Sequence, residues 1–195
     1  MPQLCPGDVV GPLDLVALSG EVVQVPDPRR LVHLQFRRFA GRPICDLHLR
    51  DIARRHGELK AAGVVEVALF HSSKKALAPY AGELPFAVVP DPGKQLYVRF
   101  GVEAGARALT NPGAWAPLIQ AVIYAVGNAL AGRPSPPRHA EGGRLGLPAD
   151  LLISPEGRVI AAKYGEHAAD HWSVDELLAL AELSRRPSAP RIADR

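Results

Sequence analysis

An apolar hexapeptide, Leu31-Val-His-Leu-Gln-Phe36, passes through an arginine-rich turn into Pro43-Ile-Cys45-Asp-Leu-His-Leu49, and no other stretch limits the fold so narrowly. The first part reads as a strand. The second reads as a helix, because Cys45, Leu49, Ile52, Ala53 and Leu59 recur at helical spacing and Ala61-Ala62-Gly63 supplies a C-cap. Proline in a first helical turn costs no hydrogen bond, which suits Pro43. Cys45 therefore stands where unpaired backbone N–H groups and the positive end of the helix dipole favour thiolate over thiol. Arg37, Arg38 and Arg42 act in the same direction, since nearby cations lower a thiol's pKa. The thiolate is the reactive form, so Cys45 is a candidate nucleophile. The competing reading is a small hydrophobe packed in the core, the commonest fate of a free cysteine.

The strand–helix alternation continues downstream. Val64–Phe70 is a largely apolar strand, consistent with burial on both faces. Ser72-Ser73 can cap a helix to about Tyr80, Leu84–Val89 is a further strand, and Asp91-Pro-Gly93 is a turn before a helix over 94–100. Strand–helix–strand–helix–strand implies parallel pairing with right-handed crossovers. A hairpin over residues 7–25 precedes this unit, with Ser19-Gly20-Glu21 as its turn. A second hairpin follows over 149–164, entered at Pro148 and turned by Ser154-Pro-Glu-Gly157. Ser173-Val-Asp-Glu176 is a capping box that opens a helix with Val174, Leu177, Leu178, Leu180 and Ala181 turned inward.

Residues 103–146 break the rhythm. From Ala114 to Gly132 there is no charged side chain, and Trp115, Leu118, Ile119, Val122, Val126, Ala129 and Leu130 share one helical stripe. Pro117, Gln120, Gly127 and Asn128 make it a poor membrane span, so it reads as a buried or subunit-contact helix and 103–132 as a homodimer surface. The expected organisation is one domain over 1–185 with a helical insertion at 103–146 and a flexible tail at 186–195.

Composition narrows the function classes. With 47% hydrophobic and 22% charged residues, the chain has the balance of an ordinary soluble domain. A net charge of +3 with dispersed arginines and no aromatic-interleaved basic face gives no support to nucleic-acid binding. Cys5 and Cys45 are too few for a disulfide scaffold, and the first residues lack the basic and apolar regions of a secretion signal. A reducing cytoplasm is the expected setting, where a disulfide is catalytic or transient rather than structural.

The order of these segments resembles the thioredoxin fold, and the local sequences resemble peroxiredoxins. Gly7-Asp8 with Leu13-Asp-Leu15 and Ser19-Gly20 is similar to their N-terminal hairpin. Leu84-Pro-Phe-Ala-Val-Val-Pro-Asp-Pro-Gly93 with Tyr97-Val-Arg-Phe-Gly-Val102 is similar to their strand, Asp-x-Gly turn and helix, and Leu152-Ile-Ser-Pro-Glu-Gly-Arg-Val-Ile160 to the hairpin that follows. The chain resembles in particular the peroxiredoxin-like branch of the AhpC/TSA group, over most of 5–102 and 145–182. The fold implied is α/β and thioredoxin-like, a central mixed sheet flanked by helices, with an N-terminal β-hairpin and a helical insertion.

By this resemblance Cys45 falls where peroxiredoxins carry the peroxidatic cysteine. Arg42 replaces both the threonine of Thr-x-x-Cys and the first cysteine of Cys-x-x-Cys, which removes dithiol exchange as the default chemistry. The peroxiredoxin proline seven residues before the cysteine is replaced by Arg38. Pro148 takes the place of the cis-proline that faces the thiol, and Arg144 is the nearest match to an arginine at that strand entry. The implied activity is one-cysteine reduction of hydrogen or alkyl peroxides, with Arg42 or Arg144 stabilising thiolate and departing oxyanion and an external thiol as reductant. No cofactor and no metal are implied, since Cys45-x-x-His48 lacks a second ligand pair.

Three further residues and one stretch carry open readings. His48, one helical turn after Cys45, is a candidate base or charge-holder, or else a packing or surface histidine. His71 follows a core strand at the end of the sheet where α/β ligands collect, and with Pro43 and Pro148 it is a candidate pocket residue. Cys5 is a candidate resolving thiol or a thiol without a role. Glu166-His-Ala-Ala-Asp-His-Trp172 has ligand-like composition and equally suits a polar loop leading to a helix. The alternative function is a thioredoxin-fold binding or assembly module with an inert thiol.

Overall fold

The structure is a computed structural model that describes residues 2–37, 43–81, 84–102, 148–166 and 170–185, apart from the side chains of 43–47, 80 and 81. The expected insertion at 103–146, the tail at 186–195, Arg38, Arg42 and Arg144 lie outside the described residues.

A two-stranded antiparallel hairpin, β1 (Leu13–Val16) and β2 (Val22–Val25), precedes a five-stranded sheet. The sheet is built from β3 (Leu31–Arg37), β4 (Val64–Phe70), β5 (Ala87–Pro90), β6 (Ala149–Ile153) and β7 (Val159–Tyr164), in the order β5-β4-β3-β6-β7. β3, β4 and β5 run parallel, whereas β6 pairs antiparallel with β3 and β7 with β6. The mixed sheet and the N-terminal hairpin are those the sequence implied. β3 is central, and all seven of its residues are buried.

Strand alternation splits the interior into two faces. On one face Val32, Leu34, Phe36, Val67, Leu69, Ala149, Leu151 and Ile153 form a continuous apolar layer with Leu15, Val25, Tyr97 and Phe100. The other face packs against helices through Leu31, Val64 and Leu152 with Ile52, Leu59, Trp172 and Leu177, and through Ala68 and Phe70 with Leu49 and Leu77. Its centre is not apolar. His33, Gln35 and Arg37 from β3, Glu66 from β4 and Asp150 from β6 point that way and are all buried. The apolar reading of Leu31–Phe36 thus fails on this face at His33 and Gln35, whereas Val64–Phe70 is buried on both faces as read, with Glu66 its one polar member.

Five helices are described: α1 (Pro43–Arg54), α2 (His56–Ala61), α3 (Lys74–Ala81), α4 (Gln95–Arg99) and α5 (Val174–Arg185). The single helix expected from Pro43 to Ala62 is broken at Arg55. There the ladder tightens, with the Glu58 amide 3.0 Å from the Arg55 carbonyl. The Arg55 side chain forks onto Glu58 (2.9 and 2.8 Å) and reaches Asp175 of α5 (2.7 Å). α3 starts where expected, with the Ser73 hydroxyl accepting the Ala76 N–H at 3.3 Å. Asp91 does more than turn the chain. Its carboxylate accepts from the amides of Gln95 (3.0 Å), Leu96 (2.8 Å) and Tyr97 (3.4 Å), satisfying donors that the start of α4 leaves open. The capping box at α5 is formed as read, the Glu176 amide donating to Ser173 Oγ at 3.2 Å and the Ser173 amide to Glu176 Oε2 at 2.7 Å. Gly157 closes the second hairpin at φ 80°, and a side chain there would start 2.6 Å from the Val10 carbonyl oxygen. β5 begins at Ala87, later than the expected 84, because Pro85 has no N–H to give a ladder.

Candidate active site

α1 packs on the polar face of the sheet through His48, Leu49 and Ile52. Pro43 is its first residue and Cys45 its third, so the cysteine occupies the first turn that the spacing indicated. His48 follows one turn later and is buried, which removes the surface reading of that residue. Its Nε2 lies 2.9 Å from Arg37 Nη2. Because a guanidinium can only donate, Nε2 must be the accepting nitrogen and the imidazole proton must sit on Nδ1. Burial and then the Arg37 charge hold His48 well below the ordinary histidine range, so it is neutral at physiological pH.

Arg37 belongs to β3 rather than to a basic turn, and it is 2% exposed. Its guanidinium meets Asp150 Oδ1 at 2.6 Å and Oδ2 at 3.4 Å, and Gln35 Oε1 at 3.1 and 3.3 Å. Gln35 passes the chain on, donating through Nε2 to Glu66 Oε2 at 2.5 Å. His33 lies between the two acids, Nδ1 at 2.8 Å from Glu66 Oε2 and Nε2 at 3.1 Å from Asp150 Oδ1. Burial opposes a charged His33, but Glu66 and Asp150 outweigh it and raise its pKa to about 9. Burial would likewise raise Asp150, yet Arg37 and His33 keep it well below the usual carboxylate range. Two cations and two anions therefore balance inside the sheet, which is how buried charge is tolerated.

The segment entering α5 closes the cluster. His171 stacks on His48 with ring centroids 3.5 Å apart, and the Trp172 amide donates to Asp150 Oδ2 at 3.3 Å. Burial and Arg37 depress His171 to about 4. The 166–172 stretch is thus more than a polar loop, since His171 and Trp172 are built into the network. His33, Gln35, Glu66 and Asp150 were not singled out from the sequence, and His171 only as part of the 166–172 stretch. The signal that could have found three of the members is polar residues at 33, 35 and 37 of a strand expected at the sheet centre.

The other candidates fall elsewhere. His71 is buried directly after β4 and meets the Tyr97 ring edge-on at 5.6 Å, against α4 on the face opposite α1. Pro148 is buried at the entry to β6, its carbonyl accepting the Gly165 N–H at 2.9 Å, while its bond to Leu147 lies outside the described residues. Cys5 is exposed. Its neighbour Leu4 packs on the apolar layer, so the N-terminal segment runs along the face away from α1. Among the described residues no three His, Cys, Asp or Glu side chains are grouped to hold a metal ion, and no helix is long and apolar enough to cross a membrane.

This arrangement matches solved structures along most of its length. Peroxidoxin BcpB from Mycobacterium tuberculosis superposes with a TM-score of 0.66 at 16% identity, covering 94% of this chain and 99% of the other. AhpC from Enterococcus faecalis gives 0.63 at 14%, covering 92% and 91%. The bacterioferritin comigratory protein of Xanthomonas campestris, a structure concerned with alkyl peroxide reduction activity, gives 0.60 at 16%, covering 88% and 91%. At these identities the likeness establishes the fold. No curated protein matches the chain in sequence. Residues 51–167, more than half of the chain, match the family described as AhpC/TSA antioxidant enzyme. With the peroxiredoxin-like architecture and this match together, the chain belongs to the AhpC/TSA antioxidant enzyme family.

Proposed function

We propose that this thiol-dependent antioxidant enzyme is a one-cysteine peroxidase acting through Cys45. The observation that carries the reading is the position of Cys45 in the first turn of α1, the helix whose His48 meets Arg37 at the end of the central strand. Backbone N–H groups and the helix dipole favour the thiolate there. The thiolate attacks one oxygen of hydrogen peroxide or an alkyl peroxide. An S–O bond forms, the O–O bond breaks, and hydroxide or alkoxide departs and takes a proton. An external thiol then attacks the sulfenic acid, releasing water and leaving a mixed disulfide that a second thiol reduces.

Arg42 and Arg144 are assigned the stabilisation of the thiolate and the departing oxyanion, and Pro43 and Pro148 the walls of the approach, whereas His71, packed on Tyr97 across the sheet, is left out of it. The stretch 103–132 is assigned to a homodimer contact and the cytoplasm to the setting. Cys5 is not assigned as resolving thiol, because its segment runs along the opposite face of the sheet. The scheme needs no bound cofactor.

The test is peroxide oxidation at neutral pH followed by intact-mass measurement. One equivalent of hydrogen peroxide should add one oxygen at Cys45 in the Cys5→Ser chain and a second equivalent a second oxygen, and Cys45→Ser should abolish peroxide consumption. An inert Cys45 sinks the peroxidase and leaves a binding or assembly module. The same oxidation of the wild-type chain supplies the other arm, since a disulfide between Cys5 and Cys45 there overturns the one-cysteine scheme.

A further inference from the structure

We propose that Arg37 is a positioning residue for this site: by donating to His48 Nε2 it fixes that imidazole in the Nδ1–H form, so that an uncharged N–H donor is presented to the turn of α1 holding Cys45. The inference rests on Cys45 being the reactive thiol. Two observations and the geometry of a helix carry it. Arg37 cannot turn away, since Asp150 and Gln35 hold four of its N–H contacts in a fully buried pocket. His48 cannot turn either, because His171 covers its ring at 3.5 Å. Residues three apart on a helix are neighbours, and helical side chains lean towards the N-terminus, so His48 lies over the turn that begins at Cys45.

The chemistry follows from the tautomer. With Nε2 occupied, the proton that remains is on Nδ1, and a donor to a thiolate favours the charged form. The groups facing His48 are Arg37 and His33 from β3, Asp150 from β6 and His171 before α5, with Lys163 of β7 behind His171. Their balance keeps the imidazole neutral, so the donor persists across the physiological pH range rather than switching with it.

The experiment reads the imidazole and the thiol separately. In the wild-type chain, nitrogen-15 NMR of the His48 ring should show a protonated Nδ1 and an unprotonated Nε2 from about pH 5.5 to 8; the opposite tautomer, or an imidazolium at pH 7, overturns the proposal. In the Cys5→Ser background, the rate of Cys45 alkylation by iodoacetamide against pH should rise as one step. His48→Phe should move that step up by about one pH unit, roughly tenfold slower at pH 7. His48→Gln keeps an acceptor for Arg37 and an N–H, and should return the rate to within about threefold. The paired change Arg37→Met with Asp150→Asn should release the ring to mixed tautomers and shift the step the same way.

Folding of each variant is checked by circular dichroism. A folded His48→Phe whose profile superposes on its parent overturns the proposal, and if that variant does not fold the wild-type ring spectrum decides. Alkylation needs no peroxide, so a Cys45 that follows these shifts yet ignores peroxide defeats the peroxidase reading and leaves the positioning role standing.

Discussion

Asp150 is the residue on which the buried charges depend. It meets Arg37 and His33 together and also accepts the Trp172 amide, all out of reach of water. Asp150→Ala would leave two buried cations facing one acid. Removing one partner of a buried pair costs about 3–5 kcal/mol, because the survivor stays desolvated without compensation. A drop of that size is expected in urea denaturation, whereas Arg37→Met with Asp150→Asn removes a balanced pair and should cost much less. None of this was legible from single positions. Arg37 looks like the first of a basic cluster in the sequence, and only its pairing opposite Phe70 places it in the strand. Cys45 is the contrary case, because its surroundings at the start of a helix are local and a local pattern reveals them.

At the scale of elements, the features the sequence disclosed are those whose partners lie within a few residues. The capping box of α5 and the turn at Ser154–Gly157 form as read, since each is closed by groups three apart. Ser173→Ala removes the acceptor for the Glu176 amide and should lower stability by about 1 kcal/mol without altering Cys45 alkylation. The break at Arg55 was not legible, because its partner Asp175 lies on α5. The polar face of β3 was hidden for the same reason. Its partners come from β4, β6, α1 and the approach to α5, and no window of sequence contains more than a fraction of them.

Across the whole molecule, the histidines of the network set opposing pH dependences. His33 is raised to about 9 in the fold against an ordinary 6.5, so its contribution is complete below pH 6.5 and is lost as the pH climbs towards 9. His171, depressed to about 4, and His48, depressed by burial and Arg37, bind protons more readily once unfolded, so their contribution is lost as the pH falls below 6.5. Asp150 adds to the acid loss below its unfolded value of 3.8. Stability measured by urea denaturation should therefore peak near pH 6.5 and fall on both sides, by up to about 1.4 kcal/mol per pH unit for each proton concerned. A curve rising monotonically from pH 5 to 9 would contradict the charge assignment. The neutral sum of Arg37, His33, Asp150 and Glu66 also bears on how such a chain can change over generations. A lone replacement strands an ion in the interior, so viable descendants must alter these positions two at a time, and a relative that has lost the arginine should be found to have lost an acid with it.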